Sequence, residues 1–226
     1  VTGTETRLVV EGNTAQTKEG GGIYARYSSE ILVSSGVHLE VKNNTAELHG
    51  GGMYLCYSGR LGISGNGTRL VVEENSGRWG GGISSQNSVV MSLSSGARLE
   101  VKNNTAEYHG GGMFLHSTLL EVSESKTQLL INNNKQIKKN TASSGGGGGL
   151  YASQSKTTVS LSSGSHTNIT NNYAEVNGGG LFLDKKAKLK VFGSRTLLSV
   201  DKNTALETGG GISSKQATTI VAAGAK

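Results

Sequence analysis

Three consecutive glycines occur seven times in this chain, beginning at Gly20, Gly50, Gly80, Gly110, Gly147, Gly178 and Gly209, at spacings of 30, 30, 30, 37, 31 and 31 residues. An Asn placed three residues after an apolar β-branched residue keeps step with every triplet: Asn13 follows Val10, Asn44 follows Val41, Asn75 follows Val72, Asn104 follows Val101, Asn140 follows Ile137, Asn172 follows Ile169 and Asn203 follows Val200. Five of these seven Asn open an Asn-Thr-Ala run. A near-constant period of this size marks a solenoid or a related repeat architecture. One unit of about 30 residues cannot bury a core by itself, so neighbouring units must stack.

Between these marks the apolar residues alternate with period two, as strands do. One segment follows each triplet, as in Ile23-Tyr24-Ala25 and Met53-Tyr54-Leu55. A second holds the pairs Ile31/Val33, Leu61/Ile63, Met91/Leu93 and Val159/Leu161, and a third holds Leu8/Val10, Leu39/Val41, Leu70/Val72 and Leu99/Val101. Three short strands per coil, all running the same way around, predict an all-β fold: a parallel β-helix of about seven coils, with coils about 4.8 Å apart and the right-handed crossover. Residues 1–226 are expected to form one such domain. The composition fits this architecture: apolar residues are only 34% of the chain, Gly is abundant at 35 residues and Pro is absent. Each coil needs few inward side chains, and the lack of Pro excludes collagen.

One row predicts the register. The second inward position after the triplet runs Ala25, Leu55, Ser85, Leu115, Ala152, Leu183 and Ser214, small and large in strict alternation. Stacked residues share one narrow interior, so neighbouring volumes must compensate. The residues between the inward pairs, Glu40, Glu100, Ser92, Glu121 and Lys190, are expected in water. The extra residues of the coil between Gly110 and Gly147 are expected to make Asn132-Asn133-Asn134-Lys135-Gln136 a protruding loop.

The pairing of apolar-x-x-Asn with a glycine triplet resembles the repeats of the chlamydial-type polymorphic outer membrane proteins, whose signatures are Phe-x-x-Asn and Gly-Gly-Ala followed by Ile, Leu or Val. The run Val41-Lys42-Asn43-Asn44-Thr45-Ala46, with Gly50-Gly51-Gly52-Met53-Tyr54 after it, carries the likeness, and similar units cover essentially the whole chain. Val or Ile stands where those repeats have Phe, and Gly where they have Ala. The resemblance implies a secreted or cell-surface passenger-like β-helix, structural or adhesive, acting through self-association or through a surface receptor or glycan.

Little in the sequence points to catalysis. Glycoside hydrolysis needs two carboxylates flanking one bond, yet the chain has two Asp, Asp184 and Asp201, far apart in sequence, and its Glu recur with the repeat. A carbohydrate-active enzyme of the same fold is the competing reading. His49 and His109 each precede a glycine triplet two coils apart, about 10 Å by the strand spacing, too far to share a metal. No cofactor or metal is expected. The formal charge of +6 is spread along the chain without a nucleic-acid motif, no stretch reaches the roughly 18 apolar residues of a spanning helix, and the single Cys56 allows no intrachain disulfide.

The seven Asn, Asn13, Asn44, Asn75, Asn104, Asn140, Asn172 and Asn203, are expected to form a structural ladder at one corner. The outward position after the triplet gathers Tyr24, Tyr54, Phe114, Tyr151 and Phe182, with Ser84 and Ser213, into a candidate binding row, the favoured alternative being an aromatic ladder that stacks on itself and stabilises the strand. Asn43, Asn66, Asn103 and Asn168 open Asn-x-Ser/Thr sequons that accept glycans in a eukaryotic secretory pathway. In the repeat register the last residues hand over to the first. The chain is therefore expected to be a segment of a longer rod, or a subunit that stacks end to end.

Overall fold

The computed structural model describes residues 3, 6–138 and 145–222, and among them every strand pairing is parallel and no helix occurs. The strands form three sheets. The first has seven: Arg7–Glu11, His38–Lys42, Arg69–Glu73, Arg98–Lys102, Gln128–Asn132, His166–Thr170 and Leu197–Asp201. The second is a narrow corner sheet of seven short strands that runs from Thr14–Ala15 to Thr204–Ala205. The third carries both remaining segments of each coil, which fuse into the long strands Ile83–Ser94 and Met113–Val122 in the middle of the rod. The result is a β-solenoid of about seven turns.

Among the described residues, register carries from coil to coil, with local shifts only between Gly77 and Trp79 and between Gln86 and Val89. Leu8, Leu39, Leu70, Leu99 and Leu129 stack in one inward row, and Val10, Val41, Val72, Val101, Ile131 and Ile169 in another. The alternating row is also continuous, Ala25 against Leu55, Ser85, Leu115, Ala152, Leu183 and Ser214 in turn. Leu55, Leu115 and Leu183 are completely buried. Ser85 tolerates this column because its hydroxyl is hydrogen-bonded to that of buried Thr118 at 2.9 Å.

The two sequence signatures meet at one corner. The first glycine of every triplet has φ between 58° and 71°, the left-handed region open to Gly. In every triplet but the last, the second and third are hemmed in by the next coil: a Cβ on Gly51 would lie 2.2 Å from the Ser76 carbonyl oxygen, and one on Gly52 would lie 2.9 Å from Asn75 Nδ2. In the ladder itself, the backbone N–H and Nδ2 of each Asn from Asn13 to Asn172 donate to Oδ1 of the Asn one coil on, at 2.9–3.1 Å. From Asn44 onward, the other Nδ2 proton goes to the carbonyl of the β-branched residue on the preceding coil, at 2.8–3.0 Å. Inside the stack the side-chain amide is fully used.

The rungs are Asn13, Asn44, Asn75, Asn104, Asn134, Asn172 and Asn203, which corrects one assignment. Asn140 lies outside the described residues, and Asn134 holds its rung. Strand register decides this, because Ile131 pairs with Val101 and Ile169 and so places Asn134 at the corner. The predicted loop at residues 132–136 is likewise ordinary coil: Gln128–Asn132 and Lys135–Gln136 are strands in sequence with the rest. Gln136 is fully buried where other coils have Ala46, Ala106 and Ala174. The extra residues fall between Gln136 and Gly147.

Glu40 and Glu100 also depart from expectation, being only 9% and 5% exposed. Arginines on the same sheet cover them: Arg7 binds Glu40 at 2.9 Å, and Arg69 binds Glu100 at 2.8 Å with Arg98 as a second partner. Hydrogen bonding from Arg7 holds the Glu40 carboxyl below its usual range. Burial pushes the Glu100 carboxyl up, but Arg69 and Arg98 outweigh it and the net shift is downward.

Candidate functional site

The strand after each triplet has two faces. Its inward residues fill the solenoid, and its outward residues form the row Tyr24, Tyr54, Ser84, Phe114, Tyr151, Phe182 and Ser213 in continuous register. The row is not an open platform. Tyr54, Phe114, Tyr151 and Phe182 are 6%, 7%, 4% and 1% exposed, Ser84 is fully buried, and within the aromatic set only Tyr24 is open, at 48%.

The cover comes from the chain between the corner sheet and the next triplet, which folds back over the outer face. It forms its own ladder of single bridges, His49 to Trp79, and His109 to Gly146, Asn177 and Thr208 in turn. Phe114, Tyr151 and Phe182 thereby become a second apolar cluster, with Trp79 packed against it. The His49 ring lies 5.3 Å from Tyr54, 4.8 Å from Trp79 and 6.1 Å from Phe114, so it spans the gap that Ser84 leaves in the row. His109 sits 4.5 Å from Tyr151, and the Phe114 and Tyr151 rings are parallel to within 1°. These ring pairs lie within the range where aromatic contacts add to simple burial.

Burial sets the electrostatics of this face. Desolvation, aided by His116, lowers His49 to about 4. Desolvation, aided by Lys185 and opposed by Asp184, lowers His109 to about 4. Both imidazoles are therefore neutral at neutral pH. Burial also raises the Tyr54 and Tyr151 hydroxyls and the Cys56 thiol, so none of these is primed as a nucleophile. The Tyr151 hydroxyl donates to Asp184 at 3.0 Å, and the Lys185 backbone N–H donates to the other Asp184 oxygen at 2.9 Å. No group of three or more metal-ligating side chains occurs among the described residues.

The accessible part of the face lies over the first two coils, where the covering segment has Thr17, Lys18 and Glu19 in place of aromatic rings. There a groove of about 300 Å³ runs beside Tyr24, Arg26 and Tyr57. Tyr57 lines it from the corner that follows the strand, and Tyr27 stacks beside Tyr57 and under Arg26. Their signal is the run Arg26-Tyr27-Ser28 recurring as Cys56-Tyr57-Ser58 one period later. The four sequon residues Asn43, Asn66, Asn103 and Asn168 are all exposed.

Residues 7–26 match the Chlamydia polymorphic membrane protein (Chlamydia_PMP) repeat. No curated protein and no solved structure matches the chain. The matched stretch contains Val10, Asn13 and the triplet at Gly20, which are the parts of one complete corner. The first coil is thus similar to the repeat unit of the Chlamydia polymorphic membrane proteins, and the same corner recurs in register in the six coils that follow.

Proposed function

We propose that this chain is an extracellular or cell-surface β-solenoid module, with a structural or adhesive role. The observation that carries the reading is the repeat match together with its recurrence as a physical corner in every coil. Seven coils make a rod on the order of 34 Å long at the usual strand spacing. Its interior is close-packed and its Asn amides are spent on one another, which suits a rigid spacer or display surface. No helix among the described residues is long and apolar enough to cross a membrane. No cofactor, metal or nucleic acid enters this proposal.

The carboxylates give the enzyme alternative little support. Glu40 and Glu100 are committed to arginines and Asp184 to Tyr151 and a backbone N–H. The proposal extends to end-to-end stacking. Leu8 and Ile212 on the outermost coils are 41% and 42% exposed, whereas their row partners Leu39 and Leu181 are covered. A further coil, from this chain or another copy, would cover them.

Antibodies against the rod should label intact, unpermeabilised cells that produce it, and beads coated with the rod should adhere to target cells. Labelling only after permeabilisation would overturn the surface assignment. Turnover of acidic polysaccharides, with or without calcium, would favour the enzyme.

A further inference from the structure

The uncovered groove over the first two coils holds residues that neither the interior nor the aromatic cover uses. Tyr27 and Tyr57 occupy the same corner one coil apart, with ring centroids 5.4 Å apart and a tilt of 30°. They are 64% and 45% exposed, so they contribute little to any core. Both have φ 55°, and the next coils place Asn87, Ser117, Gln154, Lys185 and Gln216 in the same left-handed corner. A bulky side chain enters that region at a steric cost, which short polar residues such as Asn partly avoid. The repeat does not require an aromatic residue here; only the first two coils have one.

Arg26 organises the patch. Its guanidinium lies 4.1 Å from the Tyr27 ring centroid and 5.1 Å from that of Tyr57. Arg7, Arg69 and Arg98 are each paired with a glutamate, whereas no ion pair of Arg26 occurs among the described residues. Lys18 and Glu19 line the adjoining groove with Tyr24. Two exposed tyrosines, an arginine stacked on them, and a nearby carboxylate and ammonium make a recognisable set.

We propose that this corner is a binding site for an acidic oligosaccharide, a reading that rests on the adhesive role above. The apolar C–H face of a sugar ring lies against Tyr27 and Tyr57. A uronate or sialate carboxylate takes the fork of Arg26, reinforced by Lys18. Glu19 and the tyrosine hydroxyls take the sugar hydroxyls. The second copy of this chain is the competing occupant, and the test separates the two.

The folded chain is titrated with a galacturonate hexamer, a heparin hexasaccharide and sialyllactose, with cellohexaose and lactose as neutral counterparts, and followed by tyrosine fluorescence. At least one acidic probe should bind ten times more tightly than its neutral counterpart. The double variant Tyr27→Ala, Tyr57→Ala should lose at least tenfold in affinity while melting no lower than the parent. Arg26→Gln should reduce the acidic probe to the level of the neutral one. The site is wrong if no acidic probe binds at millimolar concentration, or if binding survives the double variant. It is also wrong if the double variant abolishes self-association in sedimentation and leaves saccharide binding untouched, which assigns the patch to a second copy. Beads that adhere to cells as well with the double variant as with the parent leave the adhesive role standing while this site falls.

Discussion

Phe114 and Leu115 are adjacent in sequence and almost equally buried, at 7% and 0% exposure, yet opposite faces of one strand bury them. Leu115 sits between Ser85 and Ala152 in a column that every coil helps to wall in. Phe114 sits between Ser84 and Tyr151 under a segment that varies from coil to coil: Leu48-His49, then Arg78-Trp79, then Tyr108-His109. The inner column belongs to the repeat and the outer layer belongs to individual coils. The first is uniform and apolar. The second is aromatic, carries histidines, and stops where the cover loses its rings.

Acid should separate the two layers most clearly. His49 and His109 are lowered to about 4 in the folded protein from an ordinary 6.5. The unfolded chain therefore binds more protons between those values, so stability is complete above pH 6.5 and declines as pH falls towards 4. The full shift corresponds to roughly 3 kcal/mol for each histidine. Trp79 fluorescence should change at higher pH than the far-ultraviolet dichroism of the strands. Coincident transitions would show that the layers melt as one unit. His109→Gln should flatten the slope.

Leu115→Ala tests the inner column, and it should cost roughly 2–5 kcal/mol because small neighbours cannot close the cavity. Asn104→Ala comes next at roughly 1–3 kcal/mol, since it strips the acceptor from the backbone N–H and Nδ2 of Asn75. Ser84→Ala should fall within about 0.5 kcal/mol. The Ser84 hydroxyl is buried in the outer layer without a hydrogen-bond partner, so the change removes a polar group that gains nothing by being there. Denaturant midpoints of the three variants rank them. Equal losses for Leu115→Ala and Ser84→Ala would mean that the inward and outward faces of these paired strands have been exchanged.

The inner column was legible because period two and volume compensation are properties of the strand itself, as the run from Ala25 to Ser214 shows. The cover was not. Period two says which side chains face inward and is silent on what lies outside, and residues such as His49 and Trp79 occur in stretches without periodicity. Glu40 and Glu100 were misplaced for a related reason: Arg7 and Arg69 become their neighbours only once coils are stacked. Asn140 misled because Asn140-Thr141-Ala142 copies the common run more closely than Asn134-Lys135-Gln136, while register follows Ile131. Tyr27 and Tyr57 stood in plain sight one period apart, but a corner residue has no face until the corner has a shape.

The Asn ladder has a direction. From Asn13 to Asn172 every amide-to-amide bond runs one way, Nδ2 of each rung donating to Oδ1 of the rung after it, and only the second Nδ2 proton turns back, to a backbone carbonyl. Aligned amides of this kind polarise one another, so the corner behaves as an arrow drawn along the rod. Two rods brought together nose to nose would set donors against donors, or acceptors against acceptors. Only head-to-tail addition continues the line, so any fibre of such coils has one polarity throughout, and its two tips are chemically different surfaces.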